Sequence, residues 1–213
     1  MRSRPLLAAA AAVASAIILS ACGSPDTSTD PSPDTSSGAA SAGTPAAAES
    51  AEFPIEITHA FGTTTITAPP ERVATVAWAN HEVPLALGIV PVGMAAANFG
   101  DDDADGLLPW VAERLEELGA ETPVLFDETD GIDFEGVANT EPDVILAAYS
   151  GLTQDDYQLL SEIAPVVPYP EAAWSTSWRD VIRYNSMGLG LQAEGDALIA
   201  QLEQDIAAAV AKY

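Results

Sequence analysis

Cysteine, histidine and basic side chains are nearly missing from this chain. One cysteine, Cys22, stands among 213 residues, so no intramolecular disulfide can form, and a Cys-based metal site or a Cys-His pair lacks material. The two histidines, His59 and His81, give poor support to a Ser-His-Asp relay, and they are few for the His-rich sites that hold free zinc or manganese. Basic residues number 7 against 32 Asp and Glu, a formal net charge of −25. With Arg2 and Arg4 set aside, five basic residues face 32 acidic ones, or −27. So acidic a surface repels nucleic acid and anionic membrane patches, which excludes charge-driven binding to either. The apolar fraction of 48% is ordinary for a globular protein, so a core can form.

The first residues have the parts of an export signal: Arg2 and Arg4, an apolar run from Leu6 to Leu19, and small residues before Cys22. The run is too short and too rich in Ala for a permanent span. Its end, Leu19-Ser20-Ala21-Cys22-Gly23, resembles the lipobox of bacterial lipoproteins. That resemblance implies removal of residues 1–21 and diacylation of Cys22 as the lipid anchor; the competing reading is an ordinary signal peptide cut elsewhere. Residues 22–52 then form a Ser/Thr/Pro/Ala/Asp tether that holds no aliphatic side chain larger than Ala and cannot offset its chain entropy by burial. A coil of that length holds the folded part on the order of 30 Å from its anchor.

From Phe53 onward the pattern is that of a packed domain. Ile55, Ile57 and His59 alternate with Glu56 and Thr58 before Phe61-Gly62 turns the chain, which predicts a β-hairpin. Short apolar strands are expected at Arg72 to Ala77, Ile89 to Ala95, Thr122 to Phe126, Asp143 to Ala148 and Val166 to Tyr169. Helices are expected between them. One is capped by Asn80 and stops at Gly88, one carries Leu108, Val111, Leu115 and Leu118 on one face, and two more are capped by Asp133 and Thr153. Strands apolar on both faces and alternating with helices imply an α/β fold: a three-layer lobe with a mostly parallel sheet covered by helices on both sides, preceded by the hairpin. The lobe is expected over residues 53–190. A long helix over residues 191–213 carries Ile199, Leu202, Ile206 and Val210.

The runs ITHAFGTTTITAPPERVATVAWANHEVPLALGIVPVG, IDFEGVANTEPDVILA and LSEIAPVVPYP resemble the N-terminal lobe of the iron-siderophore ABC transporter substrate-binding proteins, a group that includes haem and cobalamin receptors. The likeness covers residues 54–213 in several ordered blocks. It implies a monomeric, non-enzymatic receptor on the extracytoplasmic face of the bacterial cell membrane, which captures a ferric siderophore and delivers it to an ABC permease. It also implies that the terminal helix is the start of an interlobe helix, with a second α/β lobe absent from this chain. Glu135 matches the surface glutamate by which such lobes dock on their permease; it also suits a helix start as a solvated acid. Haem or cobalamin is the alternative ligand, and a surface-anchored interaction protein is the alternative from another class.

No protein-bound cofactor is expected, because a ferric siderophore brings iron already saturated with oxygen ligands. The receptor needs an aromatic cleft around the organic shell with a few polar groups. Ligands of open parallel sheets lie beyond the carboxyl ends of the strands. Those ends carry Trp78, Asn80 and His81, then Ala97-Asn98-Phe99, then Tyr149, and finally Trp174, Trp178 and Arg179; the seven residues other than Ala97-Asn98-Phe99 are the candidate ligand contacts. Each has a plainer reading: core packing for Trp78, Tyr149 and Trp178, and a surface salt bridge for Arg179. The scarcity of cations disfavours triply anionic catecholate complexes and favours neutral or cationic hydroxamate ones.

The segment Asp101-Asp102-Asp103-Ala104-Asp105-Gly106 looks like a calcium loop. The bidentate Glu of an EF-hand stands at position 12, which here is Ala112, with Glu113 one residue late and Pro109 interrupting. No metal site is expected. The acids read as a solvated loop, with Asp103 or Asp105 near the positive end of the next helix.

Overall fold

The computed structural model describes residues 51–213. The expectations at Cys22 and over residues 1–21, and most of those over 22–52, lie outside the described residues. Strands β1 (Ile55–His59) and β2 (Gly62–Ile66) form the expected antiparallel hairpin, with Ile57 opposite Thr64 and His59 opposite Gly62. The remaining elements alternate: β3 (Val73–Thr75), α1 (Glu82–Ala86), β4 (Gly93–Ala95), α2 (Pro109–Glu117), β5 (Val124–Phe126), α3 (Phe134–Asn139), β6 (Val144–Ala147), α4 (Gln154–Ser161) and β7 (Val166–Pro168). Two consecutive helices follow, α5 (Trp178–Gly188) and α6 (Gln192–Val210). None of the helices among the described residues is long and apolar enough to cross a membrane.

The five later strands form one parallel sheet in the order β5-β4-β3-β6-β7. Alternation along β6 shows how both faces are buried. Ile145 and Ala147 join Val137 of α3 and Leu160 of α4 on one side, while Val144 and Leu146 join Ile57 and Ile66 of the hairpin and Leu189 beyond α5 on the other. Met94 of β4 packs with Leu85 of α1 and with Val111 and Leu115 of α2. Every residue of β6 is fully buried, which is why its sequence is continuously apolar rather than alternating.

Several strands are shorter than their apolar runs. Ala77 takes φ +60°, which ends the expected Arg72–Ala77 strand early, and Pro91 has no N–H to contribute to the run from Ile89. Asp133 and Thr153 cap α3 and α4 as expected, the latter in a reciprocal capping box with Asp156. Asn80 does not cap α1. His81 occupies the N-cap position without a side-chain hydrogen bond, and the Asn80 amide turns inward. Helix α2 likewise starts without a side-chain cap, at Leu108 followed by Pro109, so the acids of the preceding loop are not its cap.

The strand order places a switch point between β3 and β6. From β3 the chain moves outward to β4 and β5, then returns to β6 and continues the opposite way to β7. The loops leaving these two adjacent strands therefore diverge and open a crevice between them. Asn80 spans that crevice. Its Nδ2 donates to the carbonyls of Val76 (2.8 Å), Tyr149 (2.9 Å) and Trp78 (3.3 Å). Its Oδ1 accepts from the backbone N–H of Tyr149 (3.0 Å) and from Asn185 Nδ2 (3.1 Å) on α5. The side chain is fully buried, so nothing replaces these bonds if they are lost. Asn80→Ala is expected to lower the unfolding free energy by roughly 2–4 kcal/mol, read by urea denaturation. A loss below about 0.5 kcal/mol would show that water takes over the bridge.

Candidate functional site

Two adjoining depressions open at the carboxyl end of the sheet, divided by Trp78 and Tyr149, which line both. The first, about 590 Å³, lies over the ends of β3, β4, β5 and β6 and is bordered by Trp78, Asn98, Glu128, Ile132, Tyr149 and Trp174. The second, about 580 Å³, runs between α1, α5 and α6; Val83, Trp178, Ile182, Leu198 and Leu202 make it predominantly apolar. Both volumes suit a small organic ligand. Among the described residues neither is lined by a Lys or Arg; the ionisable groups on them are Glu128, Asp156, Glu82 and Tyr149.

The aromatic rim is fixed from the backbone. Ala77 (φ +60°) and Ala79 (φ +62°) flank Trp78 in left-handed conformations that raise the indole from the end of β3, leaving it 37% exposed. Trp174 is itself left-handed at φ +58°, donates its N–H to the Ser150 carbonyl at 2.9 Å, and stays 53% exposed. Its ring meets Tyr149 edge to face, with centroids 5.3 Å apart. Gly151 lies so close beneath the indole that an added Cβ would collide with it. Phe99, at 79% exposure, stands in the loop after β4 beside Asn98. Trp78 and Trp174, large and held exposed at one concavity, make it the candidate binding surface.

The candidates from sequence separate into groups. Trp78, Tyr149 and Trp174 converge on the first depression. Trp178 lies on the second instead, and Arg179 is already occupied: its guanidinium stacks 4.2 Å above the Trp178 ring and pairs with Glu203 of α6 at 2.6 Å. That is the plainer reading of Arg179, an exposed ion pair worth little in itself. Asn80 is consumed by backbone bonds, so it positions Trp78 and Tyr149 from below. His81 is buried beneath the Trp78 turn beside Met94 and Leu107, where desolvation lowers its pKa to about 4 and keeps the ring neutral. Glu135 stands exposed in the first turn of α3.

Sequence reading missed Glu128. Its Oε2 accepts the Ala77 N–H at 2.9 Å, while Oε1 is buried with no hydrogen-bond partner. Desolvation, assisted by repulsion from Asp133, raises its pKa to about 7 against the opposing pull of the Ala77 N–H. Only an unusual density of acids in Asp127-Glu128-Thr129-Asp130 hinted at it, and such runs ordinarily face water. The Asp101, Asp103 and Asp105 carboxylates do gather, with one oxygen of each within 4.8 Å of the others. Asp101 nevertheless spends its oxygens on the N–H groups of Gly106 (2.8 Å), Ala104 (2.8 Å) and Asp103 (3.2 Å), and Asp105 accepts from Leu107 N–H at 2.8 Å. The bond from Gly106 leads in lowering the Asp101 pKa, and the Asp105 charge leads in raising that of Asp103. Their hydrogen bonding closes the loop on itself.

Two titratable groups beside the Trp78 turn, Glu128 and His81, act on stability in opposite directions. Between pH 4.5 and about 7 the folded chain keeps a proton on Glu128 that the unfolded chain has released, so this contribution is lost as pH rises. Between pH 6.5 and about 4 the unfolded chain protonates His81 while the folded chain does not, so that contribution is lost as pH falls. Each amounts to on the order of 3 kcal/mol over its window, and the windows overlap. Glu128→Gln is therefore expected to unmask a stability that climbs steadily from pH 4 to 6.5 in denaturation midpoints. A slope identical to that of the unmodified chain would remove Glu128 from the balance.

Comparison with known proteins agrees with this geometry. Residues 73–213 match the family model described as periplasmic binding protein. Among solved structures, PiaA of Streptococcus pneumoniae TIGR4 in complex with ferrichrome is 51% identical, with a TM-score of 0.72 over 74% of this chain and 52% of that one. A periplasmic solute binding protein from Mycobacterium smegmatis is 32% identical over 71% of this chain and 52% of its own, with a TM-score of 0.64. SirA of Staphylococcus aureus complexed with staphyloferrin B is 25% identical over 74% and 51%, with a TM-score of 0.59. The chain thus spans about half the length of the solved structures it matches. A parallel sheet with its ligand-sized crevice at the β3/β6 switch point and a family match spanning about two thirds of the residues together make this chain a member of the periplasmic binding protein family.

Proposed function

We propose that this chain captures a ferric siderophore outside the cytoplasmic membrane for an ABC permease, and that the complex is of the neutral or cationic hydroxamate type. The observation that carries the reading is the crevice rimmed by Trp78, Tyr149 and Trp174, whose lining among the described residues includes acids but no Lys or Arg. Aromatic faces cover an apolar organic shell, and a cation-free rim favours a complex without net negative charge. The 51% identical PiaA, whose structure holds ferrichrome, supports the same ligand class. Family members bind solutes rather than transform them, and the crevice needs no catalytic group for that task. In this proposal Cys22 carries the lipid, the segment up to residue 52 is the tether, residues 53–190 form the ligand lobe, and residues 191–213 begin the interlobe helix. Glu135, exposed at the start of α3, meets the permease.

Tryptophan quenching tests the ligand. Ferrichrome and a cationic ferric trihydroxamate are expected to quench the indole emission saturably and to bind at least about tenfold more tightly than a ferric catecholate, haem, cobalamin, or zinc and manganese ions. Tighter binding of the catecholate would sink the charge argument, and tighter binding of haem or cobalamin would replace the ligand class. Gly151→Ala tests the rim, since its methyl group forces the Trp174 indole from its seat. It is expected to weaken ferrichrome binding about tenfold while the thermal midpoint stays within a few degrees. Unchanged affinity would place Trp174 outside the contact surface.

A further inference from the structure

Among the described residues, Glu128 is the carboxylate that both lines the crevice and holds its aromatic rim. Its Oε2 accepts from the N–H of Ala77, the first residue of the left-handed turn that lifts Trp78. The other end of that turn is held independently, because Asn80 ties Val76, Trp78 and Tyr149 together from below. Oε1 lies buried beside the crevice without a hydrogen-bond partner. A carboxyl in that position is stable while neutral. When ionised it places a charge, eased only by the Ala77 N–H, against apolar and aromatic side chains, and rotation into the open crevice relieves it.

We propose that Glu128 is a positioning residue for ligand binding: its carboxyl latches the Ala77–Asn80 turn that presents Trp78, and gain or loss of its proton closes or opens that latch. The acidic groups around it favour opening at higher pH. Asp133 at the start of α3 repels the ionised form, Asp156 of α4 borders the same crevice, and Asp127 and Asp130 belong to its own loop. The turn it holds contributes only His81 and Glu82 at its far end, with His81 kept neutral by burial. Among the described residues none that lines the crevice is a cation that would hold the ionised carboxylate in place. The raised pKa, about 7, sets the range in which the latch works. Its loss of grip at high pH would make capture tighter in acidic surroundings. That consequence rests on the siderophore reading, whereas the latch itself does not.

The test therefore has a ligand-free arm and a ligand arm, both on the full chain. Without ligand, tryptophan emission is expected to titrate between pH 5.5 and 8.5 with a midpoint near 7, and to be flat in both Glu128→Gln and Trp78→Phe. No titration in the unmodified chain, or its persistence in Glu128→Gln, overturns the latch. With ferrichrome as the probe, affinity is expected to fall about tenfold from pH 5.5 to 8.5, and Glu128→Gln is expected to abolish that dependence. Glu128→Ala, which cannot accept the Ala77 N–H, is expected to bind about tenfold more weakly at every pH. A pH dependence of binding that survives in Glu128→Gln overturns the coupling. Absence of ferrichrome binding in every variant at every pH refutes the siderophore reading, and the ligand-free titration still decides the latch.

Discussion

The side-chain amide of Asn80 joins the two loops that diverge from the centre of the sheet, and the crevice depends on that joint. A switch point between β3 and β6 opens a gap because the two crossovers leave in opposite directions. An open gap exposes the unpaired carbonyls and N–H groups of both loops, which would otherwise need water. One amide, with two donors and an acceptor oxygen, supplies partners to both sides and to Asn185 of α5. With the floor fixed, residues directly above it can be held outward without collapsing into the core. Trp78 and Tyr149 are those residues.

A fixed floor also explains why so much apolar surface stays exposed at one place. Trp78 and Trp174 would bury themselves in a deformable loop, since each exposed ring gives up hydrophobic free energy. Left-handed backbone at Ala77, Ala79 and Trp174, together with the close approach of Gly151 to the indole, removes that option. The rim is thus organised before a ligand arrives, which lowers the entropy lost on binding. The acid excess bears on the same surface: among the described residues the crevice is lined by acids and by no Lys or Arg, and the proposed preference by ligand charge rests on that.

Most of the secondary structure was legible because its signals are local. Apolar runs, the caps at Asp133 and Thr153, and the glycine stops are read within a few residues of each other. The errors share a cause. Asn80 occupies a typical helix-capping context, but its amide is claimed by Tyr149, 69 residues away. Glu128 belongs to an acidic run indistinguishable from solvated loops until the Ala77 turn closes over it. Arg179 looked free for a ligand, and Glu203 of α6 takes it. In each case the partner is remote in sequence, and no pattern along the chain encodes it.

The sequence by itself determined the α/β alternation, the parallel sheet, the strong negative charge and the strand-end positions where aromatics accumulate, because periodicity and composition are properties of neighbouring residues. Only the tertiary structure decided which of those aromatics share one concavity. Trp78, Tyr149 and Trp174 meet in one depression, while Trp178 turns to the other, because strand order and backbone conformation set their directions. It also decided that a carboxylate oxygen of Glu128 is buried against the Trp78 turn. Burial is a property of the assembled fold, and the pKa of Glu128 follows from it.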